Sequence, residues 1–347
     1  MNKADVSIKS WPEENLEYVK CCPVCGNKKS TLLFNDLVDN TFFVAPGSWK
    51  LYQCNSCKSG YLNPRPDKAS IHKAYGEYYT HEILSEQQTH FDKLSFGRKI
   101  LRMLANGYYN YHHGTARKPS IRLGAWLLLC YPKFRRSANA RYRYLKKPKT
   151  GQRLLDVGCG NGDFLAIASE AGWIVKGVEP DPKALAVAKE RGFYVVQGGL
   201  EEIAYSGEIF DVITINHVIE HVHNPSDFVH LAYSCLKPGG YLYIETPNIE
   251  SKGMQFFGKS WRGIEAPRHL VLFSKKGIEN VIINSCFKKA IFRSRVDVRK
   301  GMALQSSRIE KCEYDSISNK IFLRFILFFH WPRKKNCEEF LTVVAVK

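Results

Sequence analysis

The chain has 347 residues, enough for one large or two modest domains around a substantial core. Its net charge of +18 points to an anionic partner: nucleic acid, an acidic lipid surface or a phosphorylated substrate. The opening MNKADVSIKSWPEENLEY has acids and no apolar core, and no run reaches the roughly 18 apolar residues of a bilayer span, so neither an export signal nor a membrane helix is expected. The 11 cysteines are then expected reduced in the cytoplasm, with any clustered ones binding metal.

Residues 1–70 carry two C-x-x-C knuckles, Cys22-Pro-Val-Cys25-Gly26 and Cys54-Asn-Ser-Cys57. Two residues between thiolates let both sulfurs face one tetrahedral ion, so Cys22, Cys25, Cys54 and Cys57 are expected to hold a structural zinc. Cys21 is a competing ligand, although the CPxCG spacing favours Cys22. The 28 residues between the pairs imply an inserted hairpin through Leu32–Phe34, Phe42–Val44 and Leu51–Tyr52. With sulfur at all four positions the metal has no open site, and it would fold a small zinc ribbon lacking a core of its own. Tyr61-Leu-Asn-Pro-Arg-Pro66 reads as an extended connection. Tyr75, Tyr78 and Tyr79 then cover an acceptor pocket or pack between domains.

Residues 71–150 form a helical, basic connector. From Arg98 to Lys149 there are 14 lysines and arginines and no acid. Within it lies an apolar run, Leu123 to Tyr131 (LGAWLLLCY), stopped by Pro132. Trp, Leu and Tyr beside dense positive charge suit a segment lying on anionic lipid, the alternative being a buried helix with a solvated basic flank. Interleaved arginine and tyrosine in KFRRSANARYRYLKK also suit RNA.

Residues 151–347 begin with an apolar run (Leu154, Leu155, Val157), a loop with glycines at 158, 160 and 162, an apolar-periodic segment from Phe164, and a second run ending at Glu179. The pattern predicts strand, turn, helix, strand and acid. A nicotinamide fingerprint requires G-x-G-x-x-G, whereas this loop is G-x-G-x-G introduced by Asp156. In these residues the chain resembles the class I S-adenosylmethionine-dependent methyltransferases. The resemblance implies that Asp156, Gly158, Cys159, Gly160 and Gly162 pass under the methionine part of the cofactor, that Glu179 binds the ribose, and that Leu200 and Glu201 touch the adenine. It also implies an α/β fold: a doubly wound, seven-stranded Rossmann-like sheet whose last strand is antiparallel.

A helix is expected over Asp181–Arg191, strands over Phe193–Val196 and Phe210–Ile215, and then Asn216-His-Val-Ile-Glu-His-Val222. His217 to His221 matches the H-x-x-E-H pattern of inverted zinc proteases, but the match starts at a strand end and Asn224-Pro225 soon follows, so no ligand-bearing helix is expected. In the methyltransferase resemblance Asn216 and His217 lie at the cofactor, with His221 near its sulfonium. Leu236–Gly240 should end the next helix and turn into a strand over Tyr241–Glu245. The loop Phe257–Leu270 should form the acceptor side, with Ser274 capping a helix over Lys275–Cys286. The last strands are expected over Lys289–Val298 and Phe340–Val346, with an insertion at about 299–338 containing a second short apolar-basic segment, Ile321–Trp331.

The ribbon, the Pro-Arg-Pro connection, NHVIEHV and the loop W-x-G-x-E-x-P-R-H-L together resemble zinc-ribbon methyltransferases of bacterial polysaccharide and O-antigen gene clusters. Sugar C-methyltransferases share this core with an additional C-terminal domain, so the resemblance implies O-methylation of a sugar or lipid-linked glycan. His221 and His269 are the candidate bases, with Glu220 or Glu265 orienting them. The EHV stretch also resembles quinone-biosynthesis O-methyltransferases. An RNA methyltransferase is a further alternative, although N-P-P-Y is missing after the fourth strand, and a non-enzymatic adaptor is another. The expected setting is the cytoplasm, peripheral on the inner face of the cell membrane.

Overall fold

The structure is a computed structural model that describes residues 10–76, 94–295, 298–313 and 338–347. Tyr78, Tyr79 and the apolar segment 321–331 lie outside the described residues.

A short strand, β1 (Leu16–Glu17), precedes the first knuckle. Between the knuckles β2 (Ser30–Leu37) pairs antiparallel with β3 (Trp49–Cys54), Ser30 lying opposite Cys54 and Leu37 opposite Trp49. β4 (Gly60–Leu62) extends this sheet, and β5 (Arg65–Pro66) returns to β1. Phe42–Val44, expected as part of the hairpin, is not a strand. Its backbone wraps the Asp39 carboxylate, which accepts from the N–H groups of Phe42, Val44 and Ala45 at 3.1, 2.9 and 3.1 Å. Donors that a ladder would use are spent on one side chain.

The connector folds as α1 (Phe96–His112), α2 (Gly124–Leu127) and α3 (Pro132–Arg141), the last started by a proline whose missing N–H costs nothing there. Then follow β6 (Arg153–Val157), α4 (Asp163–Glu170), β7 (Ile174–Glu179), α5 (Pro182–Glu190), β8 (Val195–Gln197), α6 (Leu200–Tyr205), β9 (Phe210–Asn216), α7 (Pro225–Ser234) and β10 (Leu236–Pro247). β10 begins at Leu236, so Leu236–Gly240 belongs to the strand and not to a helix end. A side chain at Gly240 would stand 2.9 Å from the Asp211 carbonyl, a close approach that glycine alone permits. The remaining elements are α8 (Lys252–Phe257), β11 (Val271–Leu272), α9 (Lys275–Asn284), β12 (Lys289–Arg293), α10 (Arg299–Glu313) and β13 (Phe340–Val346). Ser274 caps α9 as expected, accepting from Gly277 N at 2.9 Å. β12 stops at Arg293, short of the expected Val298.

The large sheet has the order β12-β13-β10-β9-β6-β7-β8. β6 is parallel to both β7 and β9, and β7 to β8, while β13 runs antiparallel to β12. This is the doubly wound methyltransferase sheet with its antiparallel edge pair. Strands covered on both faces read as unbroken apolar runs, which is why Val212-Ile-Thr-Ile215 is so apolar.

By its contacts the chain falls into two compact units. The first comprises described residues of 1–78, 216–233 and 244–346; its core joins Trp11, Leu37, Trp49, Leu51 and Leu62 to Ile249, Phe257, Trp261, Ile264 and Leu272. The ribbon, expected to lack a core, therefore shares one with the late loop. It also shares a sheet with it, because β11 pairs with β4, Val271 opposite Tyr61. The second unit comprises described residues of 79–215 and 234–243 with Lys347, and packs Tyr142, Leu145, Leu154, Phe164, Trp173 and Val212 together.

Candidate active site

The four knuckle sulfurs of Cys22, Cys25, Cys54 and Cys57 lie within 4.8 Å of one another, with Cys22 to Cys57 at 3.7 Å and Cys25 to Cys54 at 3.5 Å. Zinc–sulfur bonds in a tetrahedron put sulfurs about 3.8 Å apart, so the set fits one zinc ion. Each knuckle closes on a left-handed residue after its second cysteine, Gly26 (φ 71°) and Lys58 (φ 64°). Their amides donate to the Cys22 and Cys54 carbonyls at 2.8 and 3.0 Å. The bond between Cys22 and Cys57 holds the Cys57 thiol below its ordinary value and pushes that of Cys22 above its own, as two sulfurs sharing one proton do. Cys21 stands outside this group.

In the second unit β6 runs into the glycine loop. Gly158 N and Cys159 N both donate to the Val178 carbonyl, at 2.9 and 3.1 Å, pinning the turn to the neighbouring strand. Gly162 (φ +83°) caps α4, and a Cβ there would meet the Phe193 ring at 2.9 Å, so no other residue fits. A Cβ added at Gly160 would meet no described atom within 4 Å, which leaves that side of the backbone open for a ligand. The Cys159 side chain packs with Leu165, Leu185 and Val195, so only its main chain serves the loop. Glu179, at the tip of β7, accepts from Gly160 N at 2.8 Å and from Asp181 N at 3.0 Å. Two of its roughly four acceptor sites are thereby used, and two remain for hydroxyls. Burial raises the Glu179 carboxyl above its ordinary value.

Asp156 is buried, and its Oδ1 is held by Thr214 Oγ1 at 2.7 Å and by Arg143. Its Oδ2 has no partner among the described residues, an orphan acceptor of the kind that a cationic or hydrogen-bonding ligand group satisfies. Arg143 comes from the basic connector, takes a left-handed backbone (φ 47°) and lies 3.6 Å over the Phe164 ring. No local spacing marks it in the sequence. Leu200 is fully buried at the start of α6, Glu201 beside it is exposed, and Asn216 ends β9. Val157 lies opposite Ile215, so β6 and β9 end together at the carboxyl edge of the sheet, where such sheets bind ligands.

In the first unit the stretch after Asn216 is a single 3₁₀ turn, Ile219–His221, not the helix a zinc protease needs. His217 (φ 55°) places Nδ1 3.2 Å from Glu220 and Nε2 3.6 Å from Glu245. Burial opposes its charge, but the two carboxylates prevail and raise it to about 9. Glu220 is fully buried and also accepts from Thr246 Oγ1 at 2.9 Å. Although burial works against its charge, His217, His221 and His269 hold its carboxyl below the ordinary value.

His221 Nδ1 lies 3.0 Å from the Arg268 carbonyl and 2.9 Å from Tyr75 Oη. A carbonyl only accepts, so in the neutral ring this contact assigns the proton to Nδ1 and the lone pair to Nε2, with Tyr75 Oη as a second acceptor of that proton. His269 is set the same way, with Nδ1 2.8 Å from the Gly263 carbonyl. Burial pushes His269 down to about 4, so it is neutral at physiological pH. The ring centroids are 4.8 Å apart, and ligand atoms of Glu220, His221 and His269 lie within 4.8 Å of one another, close enough to face a common cation. Main-chain carbonyls thus hold Nδ1 of both rings, and Glu265, which the sequence names with Glu220 as an orienting group, lies 3.9 Å from His269 Nε2.

The W-x-G-x-E-x-P-R-H-L loop is a scaffold for these carbonyls. Trp261 is buried and donates to Glu339 at 2.8 Å, and Gly263 leaves room for its ring, which would stand 2.3 Å from an added Cβ. Arg268 is fully buried between Asp39 and Glu265. Tyr75, read in the sequence only as part of an aromatic cluster, is brought to His221 from 146 residues away.

A family model described as a methyltransferase domain matches residues 132–283. The chain is 34% identical over 112 residues to the mitochondrial ubiquinone biosynthesis O-methyltransferase of Rattus norvegicus, a match covering 29% of this chain and 32% of that protein. It thus spans about a third of the length of that relative. To the ubiquinone biosynthesis O-methyltransferase of Salmonella typhimurium it is 30% identical over 177 residues, 49% of this chain and 68% of that one. A solved methyltransferase structure from Archaeoglobus fulgidus, 20% identical, covers 64% of this chain and 100% of its own with a TM-score of 0.42, which adds nothing to what the strand order shows. The chain belongs to the class I S-adenosylmethionine-dependent methyltransferases, in the family that includes the ubiquinone biosynthesis O-methyltransferases.

Proposed function

We propose that the chain methylates a hydroxyl of its acceptor, with His221 Nε2 receiving the hydroxyl proton. The observation that carries this is the bond from His221 Nδ1–H to the Arg268 carbonyl, which makes Nε2 a proton acceptor. S-adenosylmethionine, when bound, supplies a methyl group already activated as a sulfonium. The residues that would hold it are the backbone of Gly158 to Gly162, Glu179 at the ribose, Asp156 through its orphan Oδ2, and Glu201 at the adenine, with Asn216 and His217 at the reacting end; Leu200, fully buried, packs behind the adenine position without touching it. The Glu220 carboxylate stabilises His221 as it becomes an imidazolium, and neutral His269 accepts a hydrogen bond that orients the acceptor. Zinc on Cys22, Cys25, Cys54 and Cys57 is structural, since its four ligands leave no open position.

The acceptor we favour is a sugar hydroxyl on a glycan or lipid-linked glycan, a reading supported by the union of ribbon and late loop. A phenolic hydroxyl of quinone-precursor type is the second reading, favoured by relatives named for ubiquinone biosynthesis. Protein incubated with methyl-labelled cofactor and either a polyprenyl-linked saccharide or a polyprenyl catechol separates them: label on the saccharide is expected, and label on the catechol alone selects the second. Label on RNA and on neither of these refutes both. His221→Gln should lower kcat about 10²- to 10⁴-fold with cofactor affinity unchanged. An unaltered kcat removes His221 from the reaction.

A further inference from the structure

Helix α2 is amphipathic in the opposite sense to a helix that serves a core. It buries Gly124 and Ala125, while Leu123, Trp126 and Leu127 are 58, 59 and 51% exposed. Its attachment to α1 explains why. A Cβ at Gly124 would stand 2.0 Å from the Leu104 carbonyl oxygen, and one at Gly107 would stand 1.9 Å from that of Ile121. The two segments meet backbone to backbone, and no side chain larger than glycine's fits between them. Ile121 N donates to the Met103 carbonyl at 2.9 Å, and His112 Nε2 lies 3.0 Å from the Ala125 carbonyl. The large apolar residues are therefore held outward by a pinned backbone. Trp126 stands 5.5 Å from the ring of Tyr111, itself 56% exposed, and Tyr131 beyond α2 is 54% exposed. Large apolar side chains left exposed this close together in the chain mark a surface that something covers.

The charge around it identifies what. Arg122 beside the patch and Lys133, Arg135 and Arg136 on α3 are exposed, in a stretch of 14 basic residues and no acid between Arg98 and Lys149. We propose that this face docks on an anionic lipid bilayer, with Leu123, Trp126, Leu127 and Tyr131 entering the boundary between headgroups and acyl chains and the basic side chains on lipid phosphates. A second copy would set one basic face against another. Nucleic acid would pair the arginines but offers no apolar surface to the leucines. The docking is independent of which acceptor is methylated.

Sedimentation of the full chain with vesicles of phosphatidylcholine, with or without phosphatidylglycerol, tests this. Binding is expected on the phosphatidylglycerol vesicles alone and should weaken as salt rises. Leu123→Ser/Trp126→Ser/Leu127→Ser should cut partitioning at least about tenfold with an unchanged melting temperature. Trp126→Phe should bind as the parent does but lose the tryptophan quenching that brominated acyl chains cause. Equal partitioning of the triple variant and the parent, or equal quenching of Trp126→Phe and the parent, overturns the proposal. So does an RNA complex formed by protein that ignores vesicles, or a dimer that the triple variant dissociates.

Discussion

Arg268→Met is expected to destabilise the protein by about 3–4 kcal/mol. The guanidinium is 0% exposed. It donates from Nε to Glu265 at 3.1 Å, from Nη1 to Asp39 at 2.9 Å and to the Ala74 carbonyl at 3.0 Å, and from Nη2 to Asp39 again. Its plane lies 4.4 Å from the Phe42 ring centroid. Methionine recovers the packing of the stem but leaves the Asp39 carboxylate, 1% exposed, without its counter-charge. Breaking a buried pair on one side costs about 3–5 kcal/mol. Asp39 keeps three strong main-chain donors and Glu265 keeps Arg262, which places the loss in the lower part of that range. Urea unfolding followed by tryptophan fluorescence reads it out, since Trp49 and Trp261 lie in the same core. Burial works against the Asp39 charge, but Arg268 holds its carboxyl below the ordinary value. The parent is thus stabilised above about pH 4 and loses that increment as pH falls through the depressed value, whereas Arg268→Met should lack this acid-sensitive component. Asp39→Asn combined with Arg268→Met should cost less than the sum of the two single changes, because both break the same buried pair. A loss under about 1 kcal/mol, or strict additivity in the double variant, would show that the network does not organise the loop.

Glu179→Gln should weaken S-adenosylmethionine binding about 10- to 100-fold by calorimetry while the fold persists, and unchanged affinity removes the ribose assignment. Cys57→Ser should abolish stoichiometric zinc by elemental analysis and lower the melting temperature; a variant that keeps both contradicts a structural metal. Stability should also fall on both sides of neutrality. His217, raised to about 9, contributes fully below about pH 6.5 and loses its contribution as pH rises through about 9, so His217→Gln should flatten the alkaline limb of thermal unfolding. His269, lowered to about 4, contributes fully above about pH 6.5 and loses that as pH falls toward about 4. An alkaline limb identical in His217→Gln and the parent refutes the pairing with Glu220 and Glu245.

The parallel half of the sheet is legible because buried strands announce themselves as apolar runs, and because the turn after β6 admits only glycine at Gly162. Cysteine spacing was equally informative, since two residues between thiolates have one common geometric use. Misread were the places where one side chain captures backbone. Phe42–Val44 is apolar enough for a strand, yet Asp39 takes its donors. At the N-terminal end of β10, a Lys-Pro-Gly-Gly stretch that reads as a turn continues the strand.

The glycine loop, the buried parallel strands and the cluster of four cysteines therefore follow from residues that act on near neighbours in the chain, within a turn, a knuckle or a pleat. What the candidate base can do does not. The His221 tautomer depends on a carbonyl 47 residues away, Arg268 on a carboxylate 229 residues away, and the outward pose of Trp126 on two glycines that let one backbone lie against another. Periodicity and spacing record which residues share a face, whereas the partner that face meets is chosen only when distant segments pack.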